Sequence, residues 1–258
     1  SEIMQKAYAL RTAYMGDPDF YDIPYNLFLS KDSARFLSAQ VNREKSSSKA
    51  DFDPFKHKFK ENTTHYSVID SEGNAVSTTT TLNTAFGSGV IIEGTGVLMN
   101  NEMDDFAAAP NQPNYFELLG SQANEIEPHK RPLSSMTPTI VFKDDKPLII
   151  TGAQGGSRII TAVLQVILNY YEYKLSAQES VYLPRYHHQW SPEYLFYEDF
   201  DENLIAELES LGFSLFLLTP SYNYSNGITS SIMIEEDTLI GVSDFRSDDF
   251  LAIGISNE

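Results

Sequence analysis

The 258-residue sequence has no cysteine, which excludes disulfide cross-links and thiolate-bound zinc. It has no uninterrupted apolar run of roughly 18 residues, the length a helix needs to cross a bilayer, so no membrane span is expected. Basic residues are scarce, at 18 Lys and Arg against 36 Asp and Glu. The deficit is uneven: residues 1–62 hold 10 Lys and Arg against 9 Asp and Glu, leaving 8 against 27 for residues 63–258. A surface this acidic offers no basic patch to displace counterions from phosphates, which argues against nucleic acid and anionic membrane as partners. No internal repeat is visible, and the opening Ser1-Glu2-Ile3-Met4 does not read as a signal peptide. The 41% of hydrophobic and 12% of aromatic residues suffice for the core of one large domain or two small ones.

The most informative stretch is 62–83, NTTHYSVIDSEGNAVSTTTTLN. Thr63, His65, Ser67 and Ile69 alternate with Thr64, Tyr66, Val68 and Asp70, the period of a strand. Ser71-Glu72-Gly73-Asn74 reads as a tight turn, because Gly and Asn tolerate positive φ. Ala75–Leu82 returns as a β-branched strand. Turning near Glu72-Gly73, this hairpin sets Thr63 opposite a residue close to Thr81. A threonine in a strand is ordinarily there for its branched Cβ. A second reading is that the chain breaks before Thr63, whose own α-amine then becomes a base beside its hydroxyl.

Elsewhere, residues 3–14 space Ile3, Met4, Ala7, Tyr8, Leu10, Arg11 and Tyr14 as a helix that ends at Gly16-Asp17-Pro18. A second helix is expected over 33–41 with Asp32 or Ser33 as its cap. Residues 43–62 are rich in Ser, Lys and Asp and read as an exposed, mobile segment. Short strands are expected at 90–92 and 97–99, and a hairpin at 139–142 and 148–151 around Asp144-Asp145-Lys146. A helix opening at Gly155-Gly156-Ser157 is apolar on nearly all sides and should be buried. An amphipathic helix follows over 201–212, with strands at 215–218, 230–234 and 239–242. Hairpins alternating with one or two buried helices indicate an α+β chain with mainly antiparallel sheets.

Gly155-Gly156 before a helix is either a packing turn or a place where backbone N–H groups can approach an anion, helped by the helix dipole. A phosphate loop is excluded because no Lys-Ser or Lys-Thr follows. His65 and His129 are isolated and His187-His188 are adjacent, a poor arrangement for one metal, so structural or surface roles are expected and neither metal nor cofactor is assigned.

Five blocks occur in order: TTHYSVID with GNAVS, NNEMDDF at 100–106, RPLSSM at 131–136, GAQGGSRIIT at 152–161 and PRYHHQW at 184–190. Together they resemble the γ-glutamyltranspeptidases, also called glutathione hydrolases, from Tyr14 to about Asp249. The resemblance implies the αββα sandwich of the N-terminal-nucleophile hydrolases. It implies that 1–62 is the end of a large-subunit segment with its linker and 63–258 a small-subunit catalytic segment, together part of one domain. Thr63 would be the nucleophile, freed by self-cleavage of Asn62–Thr63, with Thr81 its hydroxyl partner and Gly155 and Gly156 the oxyanion hole. Glu102 and Asp105 would take a substrate ammonium, and Asn83, Ser134 and Ser135 its carboxylate. Residues 110–120 resemble the family's lid loop, with Phe116 where the family often has Tyr. The implied substrates are glutathione and other γ-glutamyl amides, with water, amino acids or peptides as acceptors and a periplasmic or secreted location. An upstream large-subunit segment, contributing an Arg that grips the substrate carboxylate, is expected as partner; Arg11, Arg35 and Arg43 are not at that position. A related poly-γ-glutamate hydrolase or acylase, or a truncated non-catalytic remnant serving in binding or assembly, are the alternatives.

Overall fold

The computed structural model describes residues 1–46, 61–109, 112–219, 225–236, 238–247 and 251–255. Most of the polar segment expected over 43–62, and Pro110 and Asn111 of the expected lid loop, lie outside the described residues. The chain divides into two compact units of interleaved segments, one from 1–59, 101–134 and 186–218, the other from 60–100, 135–185 and 219–258.

The second unit contains the hairpin. Strand β1 (Glu61–Ile69) pairs antiparallel with β2 (Ala75–Thr84). The register sets Thr63 against Thr81, Thr64 against Thr80 and His65 against Thr79. Asp70 closes the turn by accepting from the N–H groups of Glu72 and Asn74, and Gly73 supplies the positive φ.

Four further strands form an antiparallel sheet in the order β3 (Thr139–Lys143), β4 (Lys146–Gln154), β8 (Ile228–Glu235) and β9 (Thr238–Ser243). Asp144 and Asp145 join β3 to β4 with φ of 51° and 60°, the mirror-image turn whose twist suits a two-residue hairpin. Alternation along β4 decides what lies on each face. Ile149 and Ala153 point to helices α4 (Ile159–Ile167) and α5 (Ala177–Tyr182), in clusters with Val166, Val181 and Met233 and with Ile159, Ala162 and Val163. Each such buried Ile, Val or Met contributes about 1.5–3 kcal/mol. The opposite face takes the β1–β2 hairpin: Ser67 Oγ donates to the carbonyls of Ile150 and Ser230, and Ser77 Oγ to that of Thr151. Hairpin, sheet and helices thus make three layers in the order β, β, α. The outward residues of the hairpin, Tyr66, Val68 and Val76, are about half exposed.

Two expectations need correcting here, and one helix is new. The segments 90–92 and 97–99 are not strands; Ile91 and Leu98 form one isolated bridge. Helix α4 is buried on one side only, since Leu164 is 43% exposed and Leu168, in the π-helical turn Leu168–Glu172 that follows, 39%. Helix α5 was not expected; Ser176 and Glu179 cap it reciprocally.

The other unit begins with α1 (Glu2–Tyr14), α2 (Tyr25–Leu29) and α3 (Lys31–Ala39). Ser30 caps α3, accepting from Ser33 N, so the expected Asp32 or Ser33 cap is displaced by two or three residues. Helix α1 turns Glu2, Gln5, Tyr8 and Arg11 inward and leaves Ile3 and Tyr14 exposed. That is the reverse of an apolar stripe. A three-stranded sheet, β5 (Tyr186–His187), β6 (Tyr194–Tyr197) and β7 (Ser214–Leu217), completes the unit. Strands β6 and β7 run parallel, joined through α6 (Glu202–Ser210), which Asp201 caps from Asn203 N and Leu204 N.

Candidate active site

Thr63 lies on the inward face of β1 and is 6% exposed. Its Oγ1 donates to Thr81 Oγ1 over 3.2 Å. Thr81 Oγ1 also accepts from the N–H of Asn83 at 2.8 Å, a local side-chain bond at the point where the hairpin register shifts. Asn83 is buried with φ of 74°, a conformation asparagine tolerates better than most residues. The threonine pair is therefore fixed by hairpin register and by the bond from Asn83.

His65, two residues along the same face, is 3% exposed. Its Nδ1 lies 2.8 Å from Thr79 Oγ1 and its Nε2 3.2 Å from Ser67 Oγ. Burial pushes the imidazole down to about pKa 4, so it is neutral at pH 7. The ring lies over Gly152, where a Cβ would come within 2.2 Å of it. His65 thus fills the space between hairpin and sheet, and Gly152 is needed for that close approach.

The turn Gly156–Arg158 packs against β1 and leads into α4. Gly155 and Gly156 adopt φ of 137° and 52°, which side chains disfavour. Consecutive residues of this kind turn backbone N–H groups toward one side at a helix start, a geometry suited to negative charge. Ser135 is half-buried in the segment leading to β3.

Glu102, Asp105 and Ser134 belong to the other unit. A single helical turn, Glu102–Asp105, carries the two acids. Burial pushes both carboxyls upward, and for Asp105 the neighbouring Glu102 adds to the rise while Arg11 opposes it. Asn114 Nδ2 donates to Asp105 Oδ1 at 3.4 Å, and Tyr115 N to Asp104 Oδ2 at 2.7 Å, tying this turn to the loop at 112–120. Ser134 is exposed, and its carbonyl accepts from Arg11 Nη2 at 3.4 Å. Arg131, from the same block, donates through its backbone N–H and its guanidinium to Asp17, holding that carboxyl well below its usual range.

Sequence reasoning expected structural or surface roles for His187-His188 and gave the rest of the PRYHHQW block no task. His187 Nε2 bonds Gln189 Oε1 at 2.8 Å, and Gln189 Nε2 reaches the carbonyl of Phe116 at 2.9 Å. The block anchors the loop of Phe116. Arg185, fully buried, pairs with Asp244 at 2.8 Å and donates to the carbonyls of Val181 and Gly227. Among the described residues no group of three or more His, Asp and Glu could hold a metal ion, and no helix is long and apolar enough to cross a membrane.

The layered fold and a buried threonine paired with a second hydroxyl at a strand end define an N-terminal-nucleophile type hydrolase fold. The family model described as Gamma-glutamyltranspeptidase matches residues 1–253. The chain belongs to the γ-glutamyltranspeptidase family. It is 44% identical to the glutathione hydrolase proenzyme of Escherichia coli K12 over 258 residues, covering 98% of this chain and 44% of the relative. The chain thus spans about half the length of the curated relatives it matches. A solved γ-glutamyltranspeptidase structure from Helicobacter pylori, 43% identical, covers 71% of this chain and 100% of that one with a TM-score of 0.67. A cephalosporin acylase from Bacillus halodurans shares the fold, with a TM-score of 0.82 at 23% identity over 99% of this chain and 44% of that one.

Proposed function

We propose that the chain carries the catalytic segment of a glutathione hydrolase, cleaving γ-glutamyl amides and passing the acyl group to water or an amino acid. The observation that carries this reading is the Thr63–Thr81 hydroxyl pair, 3.2 Å apart on a buried strand face in a chain of this family. Maturation begins when Thr63 Oγ1 attacks the carbonyl carbon of Asn62. The amide bond breaks as an ester forms, and water hydrolyses the ester, leaving a carboxylate on Asn62 and a free α-amine on Thr63. In turnover that amine takes the Oγ1 proton while Oγ1 attacks the γ-carbonyl of the substrate.

The oxyanion that develops is stabilised by backbone N–H groups of Gly155 and Gly156. Collapse expels the amine, which leaves with the proton, and a γ-glutamyl ester remains on Thr63. Water or an acceptor amine then attacks this ester by the same route. Thr81 orients Oγ1 throughout. Glu102 and Asp105 take the substrate's α-ammonium, and Asn83, Ser134 and Ser135 contribute to holding its α-carboxylate. These neutral donors lack a charge-assisted fork, a contact worth about 1.5–3 kcal/mol, which an upstream segment's Arg supplies. The acids favour a free α-ammonium and therefore glutathione-type substrates over acylase substrates. An exported location fits this reading.

The test is to produce the chain together with its upstream segment and follow both reactions. Mass spectrometry should find a fragment beginning at Thr63, Thr63→Ala should abolish it, and the wild type should turn over γ-glutamyl-p-nitroanilide. Cleavage at the same bond persisting in Thr63→Ala, or a fully processed protein without turnover, overturns the reading.

A further inference from the structure

Helix α1 buries a polar stripe, Glu2, Gln5, Tyr8 and Arg11, where a surface helix ordinarily buries apolar residues. A guanidinium is costly to bury unless it has a task for its charge and donors. Arg11, in the last turn of α1, is 8% exposed. It donates to the carbonyl of Ser134. It also lines a cavity with Asp105, Asn114, Asn124 and Leu133, and within that lining Arg11 and Asp105 are the charged residues.

Asn124 joins the same two segments from its own position. Its Nδ2 donates to the Asp105 carbonyl at 2.8 Å, and its Oδ1 accepts from Leu133 N at 3.0 Å. Asn124 therefore ties the turn carrying Glu102 and Asp105 to the 133–134 segment, while Arg11 bonds that same segment and shares the cavity lining with Asp105.

We propose that Arg11 is a positioning residue for substrate binding: it locks the Asp105 turn to the Ser134 main chain and sets a buried positive charge facing the Asp105 carboxylate. This assignment rests on the glutathione-hydrolase reading and adds a residue to it. The groups facing Asp105 are Glu102 and Asp104, which disfavour its ionisation, and Arg11, which favours it; Arg11 in turn is faced by Tyr8. Burial already pushes Asp105 upward, so without Arg11 it would hold a proton over more of the neutral range and meet the substrate ammonium uncharged.

The experiment measures KM and kcat for γ-glutamyl-p-nitroanilide from pH 6 to 10, together with the extent of self-cleavage. The proteins are wild type, Arg11→Gln, Arg11→Lys, Asp105→Asn and the Arg11→Gln/Asp105→Asn double variant, each with the upstream segment. Arg11→Gln is expected to raise KM about tenfold near neutral pH, the worth of one charge-assisted contact. The loss should shrink at higher pH as Asp105 ionises, while self-cleavage continues. Arg11→Lys should restore most of the affinity, and Arg11→Gln should add little on the Asp105→Asn background. Arg11→Lys as impaired as Arg11→Gln, a loss independent of pH, or full additivity with Asp105→Asn would overturn the assignment alone. A wild type that cleaves itself but turns over no γ-glutamyl anilide overturns the functional reading and this assignment with it.

Discussion

Gly152→Ala is a single-methyl perturbation whose consequence can be worked from distances. A Cβ on Gly152 would lie 2.2, 2.4 and 2.6 Å from Cε1, Nδ1 and Nε2 of His65. Ordinary carbon contacts begin near ~3.5 Å, so the ring must retreat by roughly 1 Å. It has little freedom to do so, being 3% exposed and bonded to Thr79 and Ser67. Overpacking costs about 1–3 kcal/mol, and losing two hydrogen bonds about 1 kcal/mol each. The sum is about 3–5 kcal/mol. For a chain of this size that lowers the thermal midpoint by roughly 10 °C.

The strain also reaches the chemistry, because His65 is two residues from Thr63 on one strand face. With Thr63 as the proposed nucleophile, a displacement of about 1 Å can cost ~100-fold in rate. The assay is denaturant unfolding of Gly152→Ala, His65→Ala and the double variant. His65→Ala makes room for the new methyl, so the double variant should be more stable than the sum of the single losses implies, with a coupling of about 1 kcal/mol or more. Additive losses, or a Gly152→Ala protein with wild-type stability and turnover, would refute the reasoning.

Thr81→Val keeps the branched shape but removes the hydroxyl that meets Thr63 Oγ1 and Asn83 N; self-cleavage and turnover should both slow by ~100-fold, as gel analysis of processing and a γ-glutamyl anilide assay would report. Asp244→Ala leaves the buried guanidinium of Arg185, and that of Arg246 beside it, without their shared carboxylate; the expected loss is about 3–5 kcal/mol in urea unfolding, and a loss under about 1 kcal/mol would contradict it. Stability should also fall on acidification. His65 and His188 are each held down to about pKa 4, chiefly by burial. Their unfolded forms bind protons from about pH 6.5 downward. The contribution is therefore complete above pH 6.5 and lost as pH falls towards 4, at most about 3 kcal/mol for each ring. A thermal midpoint that stays flat across this window would rule the buried neutral imidazoles out.

The β1–β2 hairpin was legible in the sequence because its signals are local. Period-two alternation, a Gly-Asn turn and a fixed residue count are enough to place Thr63 opposite a residue close to Thr81, and the folded register makes the partner Thr81 itself. The same holds for the Asp144-Asp145 hairpin and for α6. Family blocks supplied the identities of the acids and the paired glycines, which composition alone would leave as solvated loop acids and a packing turn.

Local signals failed where the deciding partner was distant in sequence. Periodicity presents the faces of α1 and α4 but cannot say which neighbour will cover them. The polar stripe of α1 went inward because Arg11 meets the Ser134 carbonyl, 123 positions away. Apolar residues at 90–92 and 97–99 lacked a continuing ladder, so they stopped at one bridge. His65 looked isolated until folding laid it over Gly152, and Asp17 looked like part of a helix stop until Arg131 closed on it. The sequence by itself determined the β1–β2 and β3–β4 hairpins and their turns, since these depend on neighbours a few residues apart. Tertiary structure alone decided which polar groups are buried and with what, because a buried charge is tolerated only where the fold delivers its partner.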